Sequence, residues 1–289
     1  MTATSLKRKH HLEIMDCYLE ALIRKNLQMA PLTDNCKITF NGEQHPLGQN
    51  FLWANAKHIP QRQVFVDIVS DNVVLFGIST NEWQNFQGFG FPALPGDQAV
   101  EMTFPHPFYA ATVIRLHITG DKIDEVEEIF EQNRYAGLRV PLSDIRLPEL
   151  IFDIPFPEDE RMTREELQEV ADIYWDCISK ERPASDLRLH PEAKRVENGM
   201  CCTNNNGTFR SEFLQESFTW DTPRDQRFYP IIDEVRGVVF SMQRFVGLEK
   251  SSPLNKNPYI LDVFKIENGL IRFIMAFFKK DMMEIGWRA

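Results

Sequence analysis

A chain of 289 residues is long for one domain and comfortable for two. Hydrophobic residues make up 43% and charged residues 26%, the balance of a globular protein with a buried core rather than a disordered segment. The net charge of −10 excludes a nucleic-acid footprint, which needs clustered Lys and Arg; the one basic run, Lys7-Arg8-Lys9, is too short to supply it.

In chain order, Leu12, Met15, Leu19, Leu22 and Ile23 recur at helical spacing and predict an amphipathic helix from about Leu6 to Asn26. A short strand, Cys36 to Phe40, ends at the turn dipeptide Asn41-Gly42. After an irregular stretch containing Trp53 come strands Val64–Val69 and Val73–Ile78, then a Gly/Pro-rich loop from Gly88 to Gly96. Strands Ala111–Ile118 and Ile123–Phe130 flank Gly120-Asp121. Residues Tyr135 to Glu160 are Pro-rich and unpatterned, as a linker draped over a surface would be. A second helix follows, opened by a capping box (Thr163 with Glu166) and striped by Leu167, Val170, Tyr174, Cys177 and Ile178.

From there the order of elements repeats. Asp16-Cys17-Tyr18 returns as Asp172-Ile173-Tyr174, and Asn41-Gly42 as Asn198-Gly199. Phe65-Val66-Asp67 returns as Ile231-Ile232-Asp233, each followed by a Val-Val pair, and Leu116-His117-Ile118 as Phe264-Lys265-Ile266. Ordered matches of this kind point to tandem units, at residues 1–134 and 161–289 with a linker at 135–160. The fold class is therefore α+β: two tandem cone-shaped barrels, each a long N-terminal helix packed on a curved antiparallel sheet. The 22 Phe residues suit sheets curled around a pocket, or ordinary core filling.

Several absences shape the functional reading. No stretch approaches 18 consecutive apolar residues, so neither a membrane-spanning helix nor a membrane partner is expected. The N-terminal sequence lacks the apolar run of a signal peptide, which makes a cytoplasmic address the default. Five cysteines without C-x-x-C spacing predict neither a disulfide framework nor a metal site. Nucleotide-loop, zinc-protease and serine-hydrolase motifs are lacking as well, so no cofactor is expected.

Helix first and strand hairpins last, with the closing strand pair at Arg115–Glu127, resembles the nuclear transport factor 2-like or SnoaL-like superfamily, cystatin-like cones. More narrowly, the chain is similar to a group of two-repeat proteins of fungi and bacteria within it. That resemblance is carried by Asn41-Gly42 with Pro46-Leu47-Gly48 and Trp53; by His190-Pro191 with Arg195-Val196-Glu197-Asn198-Gly199; and by Asp233-Glu234 with Arg236-Gly237-Val238-Val239. Phe264 to Ile271 and Gly286-Trp287 complete it. There are two departures: Phe40 stands where an acid is expected before Asn41, and Met275 where the first unit has Glu127. The resemblance implies cofactor-free isomerase, dehydratase, cyclase or lyase chemistry, or a binding module with none.

A cofactor-free cone needs a general acid or base and a group that stabilises developing charge. Candidate catalytic residues are Asp67, His45, Glu197 and Asp233; candidate substrate-binding residues are Trp53, Tyr18, Tyr174, Arg195, Asn198, Arg227 and Tyr229. Arg195 and Glu197, two apart on one strand, share a face and form either a pocket pair or a surface ion pair. Asp67 shares a face with Phe65, and is either a base paired with His45 or an anchor for backbone N–H groups. The expected partner is a hydrophobic small molecule, with the two barrels packed as an intramolecular pseudo-dimer and a homodimer as a further possibility. The readings that stay open are a lyase, isomerase or dehydratase and a non-catalytic binding or scaffold protein.

Overall fold

The computed structural model describes residues 3–46, 48–82, 108–132, 147–197, 200–201, 221–246 and 259–279. The loop expected at 88–96, the first part of the linker, the Asn198-Gly199 turn and Gly286-Trp287 lie outside them.

The first unit opens with helix α1 (Ala3–Arg24), which buries His11, Ile14, Met15, Tyr18, Leu19 and Leu22 along one stripe. Strands β1 (Leu32–Phe40) and β2 (Glu43–Gln44) are joined by Asn41 and Gly42, both at positive φ, the conformation that hairpin turns demand of such residues. Helix α2 (Phe51–Asn55) then replaces the irregular stretch expected around Trp53, started by Asn50, whose side chain accepts from the Trp53 amide. Strands β3 (Ala56–Asp67), β4 (Asn72–Asn81), β5 (Phe108–Thr119) and β6 (Lys122–Gln132) finish the unit. The second unit repeats the order of the long helix and the six strands. It runs through α3 (Arg164–Ile178), β7 (Leu189–Glu197), β8 (Met200–Cys201), β9 (Arg227–Asp233), β10 (Val238–Arg244), β11 (Tyr259–Glu267) and β12 (Leu270–Lys279). The capping box read from Thr163 and Glu166 is formed in both directions.

Each unit has one six-stranded sheet, ordered β2-β1-β6-β5-β4-β3 and β8-β7-β12-β11-β10-β9. The sheets are mixed rather than wholly antiparallel, because β1 runs parallel to β6 and β7 parallel to β12. After β1 the chain crosses to the far edge of the sheet. Three antiparallel pairings, β3–β4, β4–β5 and β5–β6, then bring β6 back beside β1 in the same direction. The outcome is two tandem α+β cones, a helix closing the hollow of each.

Every central strand is buried on both faces. One face of the first sheet packs on α1 and α2 (Val73, Leu75, Ile114, Leu116, Val126), and one face of the second on α3 (Val239, Ile260, Phe264, Ile274). The opposite faces of the two sheets pack on each other, in a layer holding Phe65, Val74, Phe76, Val113, Phe240, Val263, Phe273 and Phe277. Many of the phenylalanines are thus in this inter-sheet layer rather than around a pocket. Edge-to-face pairs run through it: Phe65 on Phe240 at 5.8 Å, Phe76 on Phe277 at 5.9 Å. The segment between the units does more than drape. Its Phe152 is buried between Phe65 and Phe273, 5.4 Å from each ring.

Two matched arginine clamps tie the units together. Arg164 of α3 reaches back to Asp67 of β3 with two parallel bonds of 3.0 and 2.7 Å, and donates to the Ile232 carbonyl at 2.7 Å. Arg8 of α1 reaches forward to Asp233 of β9, and donates to the Val66 carbonyl at 3.3 Å. Each helix therefore holds the other unit's acid and the strand residue beside its own unit's matching acid. Burial pushes the Asp67 carboxyl up, but Arg164 and the amides of Ile232 and Val69 outweigh it and hold it below the ordinary carboxylate value. Removing one partner of such a pair leaves a buried charge unmatched. Arg164→Ala is expected to cost on the order of 3 kcal/mol in urea denaturation, against about 0.5 or less for Lys9→Ala in an exposed pair. Because the folded carboxyl titrates below its unfolded value, the wild-type advantage is present above that value and shrinks as pH falls through it. Equal losses in the two variants would refute the clamp.

Candidate functional site

The cone-facing residues of the second sheet lie in register across four strands. Ser241 of β10, Asp262 of β11, Ala276 of β12 and Glu197 of β7 stand opposite one another in one transverse row. The next row toward the β11–β12 turn is Val239, Phe264, Ile274 and Arg195. Asp262 is fully buried among Ile260, Phe264 and the α3 side chains, and neither of its oxygens has a hydrogen-bond partner among the described residues. Burial pushes its carboxyl up to about 7, with Arg195 pulling down and Glu197 adding to the rise. Arg195 is itself buried; it donates to Glu197 at 2.7 Å and to the Tyr174 hydroxyl of α3. The expected Arg195–Glu197 pair is thus formed, on the cone side, with Glu197 half-buried. Asn198 lies outside the described residues.

The first cone carries a different lining in the same row: Leu75, Ile114, Glu128 and Phe40. Its acid is Glu128, fully buried. Both oxygens are engaged, one by the Tyr18 hydroxyl at 2.8 Å and the other by the Asn50 amide at 2.5 Å. Trp53 donates its indole N–H to Tyr18 at 3.2 Å, completing the chain. Burial lifts the Glu128 carboxyl to about 7 against these donors. Phe40 does stand where an acid was expected, but the first cone is not without one. Glu127, the acid matched to Met275, faces the other way, into the inter-sheet layer, where it takes a 3.1 Å bond from buried Arg115.

The remaining candidates are placed elsewhere. Asp67 and Asp233 sit in the clamps between the units, and Asp67 is not brought to His45. His45 stands at the first cone's rim, edge-on to Phe40 at 5.8 Å and 4.0 Å from Glu43. An open groove of about 370 Å³ passes Arg8, Asp67 and Asp233, but these charges are already matched to one another, whereas Asp262 in the cone has no partner among the described residues. Arg227 is buried against Asp172 at 2.7 Å and Asp176 at 2.8 Å, and Tyr229 donates to Asp172 at 2.7 Å, fastening β9 to α3. Trp53 and Tyr18 belong to the first cone and Tyr174 to the second. Among the described residues no three His, Cys, Asp or Glu side chains gather as a metal site would require, and no helix is long and apolar enough to cross a membrane.

Asp262 and Glu128 were not picked out from the sequence. The signal for Asp262 was present: it is the one charge in Tyr259-Ile-Leu-Asp-Val-Phe264, in phase with Phe264 and Ile266. Glu128 was masked by its neighbour Glu127 and by the charged look of Asp124 to Glu128. A buried acid lifted above its unfolded value binds a proton on folding, so it stabilises at low pH and that contribution is lost as pH rises through about 7. Glu128→Gln removes this dependence. Between pH 5 and pH 8 its stability should improve relative to wild type by up to about 3 kcal/mol in denaturant titrations, and a constant difference would refute the buried, proton-binding carboxyl.

Residues 160–278, which contain the second cone, match the family model described as Domain of unknown function (DUF8021). No curated protein sequence matches the chain. Among solved structures, a candidate polyketide cyclase from Xanthomonas campestris pv. campestris shares 12% identity over 43% of this chain and 91% of its own, with a TM-score of 0.33. A candidate ketosteroid isomerase from Kribbella flavida shares 8% over 42% and 84%, at 0.32. A protein with cystatin-like fold from Methylobium petroleophilum shares 16% over 44% and 85%, at 0.34.

Proposed function

We propose that the second cone is a cofactor-independent acid–base site, of lyase, isomerase or dehydratase type, acting on a hydrophobic small molecule. The observation that supports this most is Asp262: a fully buried carboxyl with both oxygens unpartnered among the described residues, on an apolar sheet face that also carries a buried arginine. A buried acid kept only for structure is normally bound on both oxygens, as Glu128 is. Leaving one unbound carries a cost that a stable fold has no need of, and a bound substrate offsets it.

The roles follow from position. Ala276 lies between Asp262 and Glu197, so the two carboxylates are two strand spacings apart, roughly 9–10 Å, with only a small side chain between them. Asp262, half ionised near neutral pH, takes a proton from a carbon beside a carbonyl. Arg195, held by Glu197 and Tyr174, meets the oxygen on which negative charge develops. Returning the proton to another carbon gives isomerisation; expelling a β-substituent gives elimination.

Hydrogen–deuterium exchange tests the base without knowledge of the natural substrate. Aromatic 1,3-diketones and cyclic enones in D2O should lose their acidic C–H signals faster with protein than without, the rate rising through about pH 7 as Asp262 ionises. Asp262→Asn should lower the rate at least a hundredfold or so, while Asp67→Asn should leave it near wild type in whatever fraction remains folded. Exchange at the buffer rate with the wild-type protein, or an unaffected Asp262→Asn variant, sinks the proposal.

A further inference from the structure

Two further polar atoms of the second cone have no task in that mechanism. Gln243 of β10 is fully buried and lies on the cone face, two residues beyond Ser241. Its orientation is fixed by its neighbours. Ser241 donates its only hydroxyl proton to the Asp262 carbonyl at 3.2 Å, so the bond of 3.1 Å between Gln243 and Ser241 must come from the Gln243 amide N–H. The Gln243 carbonyl oxygen is left without a partner among the described residues. Trp175 of α3 is also fully buried, and its indole N–H is likewise unpartnered. Its ring packs edge-to-face on Phe264 at 6.1 Å and on Phe245 at 6.2 Å. Those two residues bracket the patch of sheet where Gln243 and Asp262 are diagonal neighbours, so the indole of the helix lies across from them.

An unpaired acceptor on the sheet and an unpaired donor on the helix above it are complementary to one chemical group. A hydroxyl oxygen accepts from an indole N–H while its proton is donated to an amide carbonyl; an ether can do only the first, and a hydrocarbon neither. The first cone has an unpaired acceptor of the same kind, Asn81 Oδ1 two residues beyond Ser79, but among the described residues it lacks the donor: Leu19 takes the place of Trp175, and the Trp53 indole is engaged by Tyr18. We infer that Trp175 and Gln243 form a hydroxyl-recognition site, so that the second cone takes a flat, largely apolar molecule carrying a ring hydroxyl such as a phenol or enol. This deepens the reading of the second cone as the ligand site, but it concerns recognition and stands or falls separately from catalysis by Asp262.

Three probes of nearly equal shape separate the possibilities: naphthalene, 2-methoxynaphthalene and 2-naphthol, with affinities read from probe fluorescence. The wild-type protein should prefer 2-naphthol to 2-methoxynaphthalene, and that in turn to naphthalene, each by roughly threefold to tenfold. Gln243→Met should abolish the first preference and Trp175→Phe the second, and naphthalene binding retained at any affinity in each variant reports an intact cone. Should a variant fail to fold, the wild-type indole resonances still decide. One 15N–1H signal should lie further downfield with 2-naphthol or 2-methoxynaphthalene bound than with naphthalene bound, as a hydrogen-bonded N–H does. Equal affinities, no binding of any probe, preferences that persist in the folded variants, or an indole signal indifferent to the oxygen would each overturn the assignment. Asp262→Asn should retain the 2-naphthol preference while losing proton exchange. Loss of exchange in the wild type with preference intact would remove the catalytic reading alone.

Discussion

Both sheets in this protein are covered twice, once by their own helices and once by each other, and that double burial constrains everything else. In most antiparallel sheets one face meets water, and polar residues can sit there without consequence. In β4 and β11 nearly every residue is buried whichever way it points. A charged side chain on such a strand has two destinations: the inter-sheet layer, where it must be matched by a partner, or the cone, where it faces an enclosed apolar space. The Asp67–Arg164 and Asp233–Arg8 clamps, and the Arg115–Glu127 and Lys279–Glu131 pairs, are the solutions adopted on the inter-sheet side. On the cone side the solutions differ between the units, and there the candidate chemistry lies.

This constraint also explains how far the amino-acid pattern could be read. Helical stripes, strand alternation, the Thr163–Glu166 cap and the repeated order of elements are local signals, and the architecture follows from them. The shared face of Arg195 and Glu197 was legible for the same reason, since alternation is exact over two residues. Asp67 was legible only in part. Its company with Phe65 showed that it is buried, but alternation does not say which of two buried faces is which, and that face is the one against the other sheet. Nor could spacing reveal that Arg164, in a different unit, holds it. Asp262 needed the opposite inference: its phase with Phe264 and Ile266 puts it in the cone once that face is known.

The two cones illustrate the difference between a buried acid bound on both oxygens and one with no partner among the described residues. Glu128 is lifted to about 7 by the same burial as Asp262, so the shift in itself does not distinguish them. Saturation does. Tyr18, Asn50 and Trp53 form a closed chain of donors on Glu128 that pins α1, the α2 entry and β6 to one another. The matching tyrosine of the second unit, Tyr174, meets Arg195 instead, and among the described residues no such chain closes on Asp262.

Glu128 and Asp262 occupy the same transverse row but not the same column, since one lies on the strand matched to β12 and the other on β11 itself. Adjacent strands are about 4.8 Å apart, so the carboxyl is displaced sideways by that distance between the two cones while the backbone register of the row is retained. The scaffold thereby offers two positions for a buried carboxyl within a single architecture, set by which strand carries it and not by any change in the strands themselves.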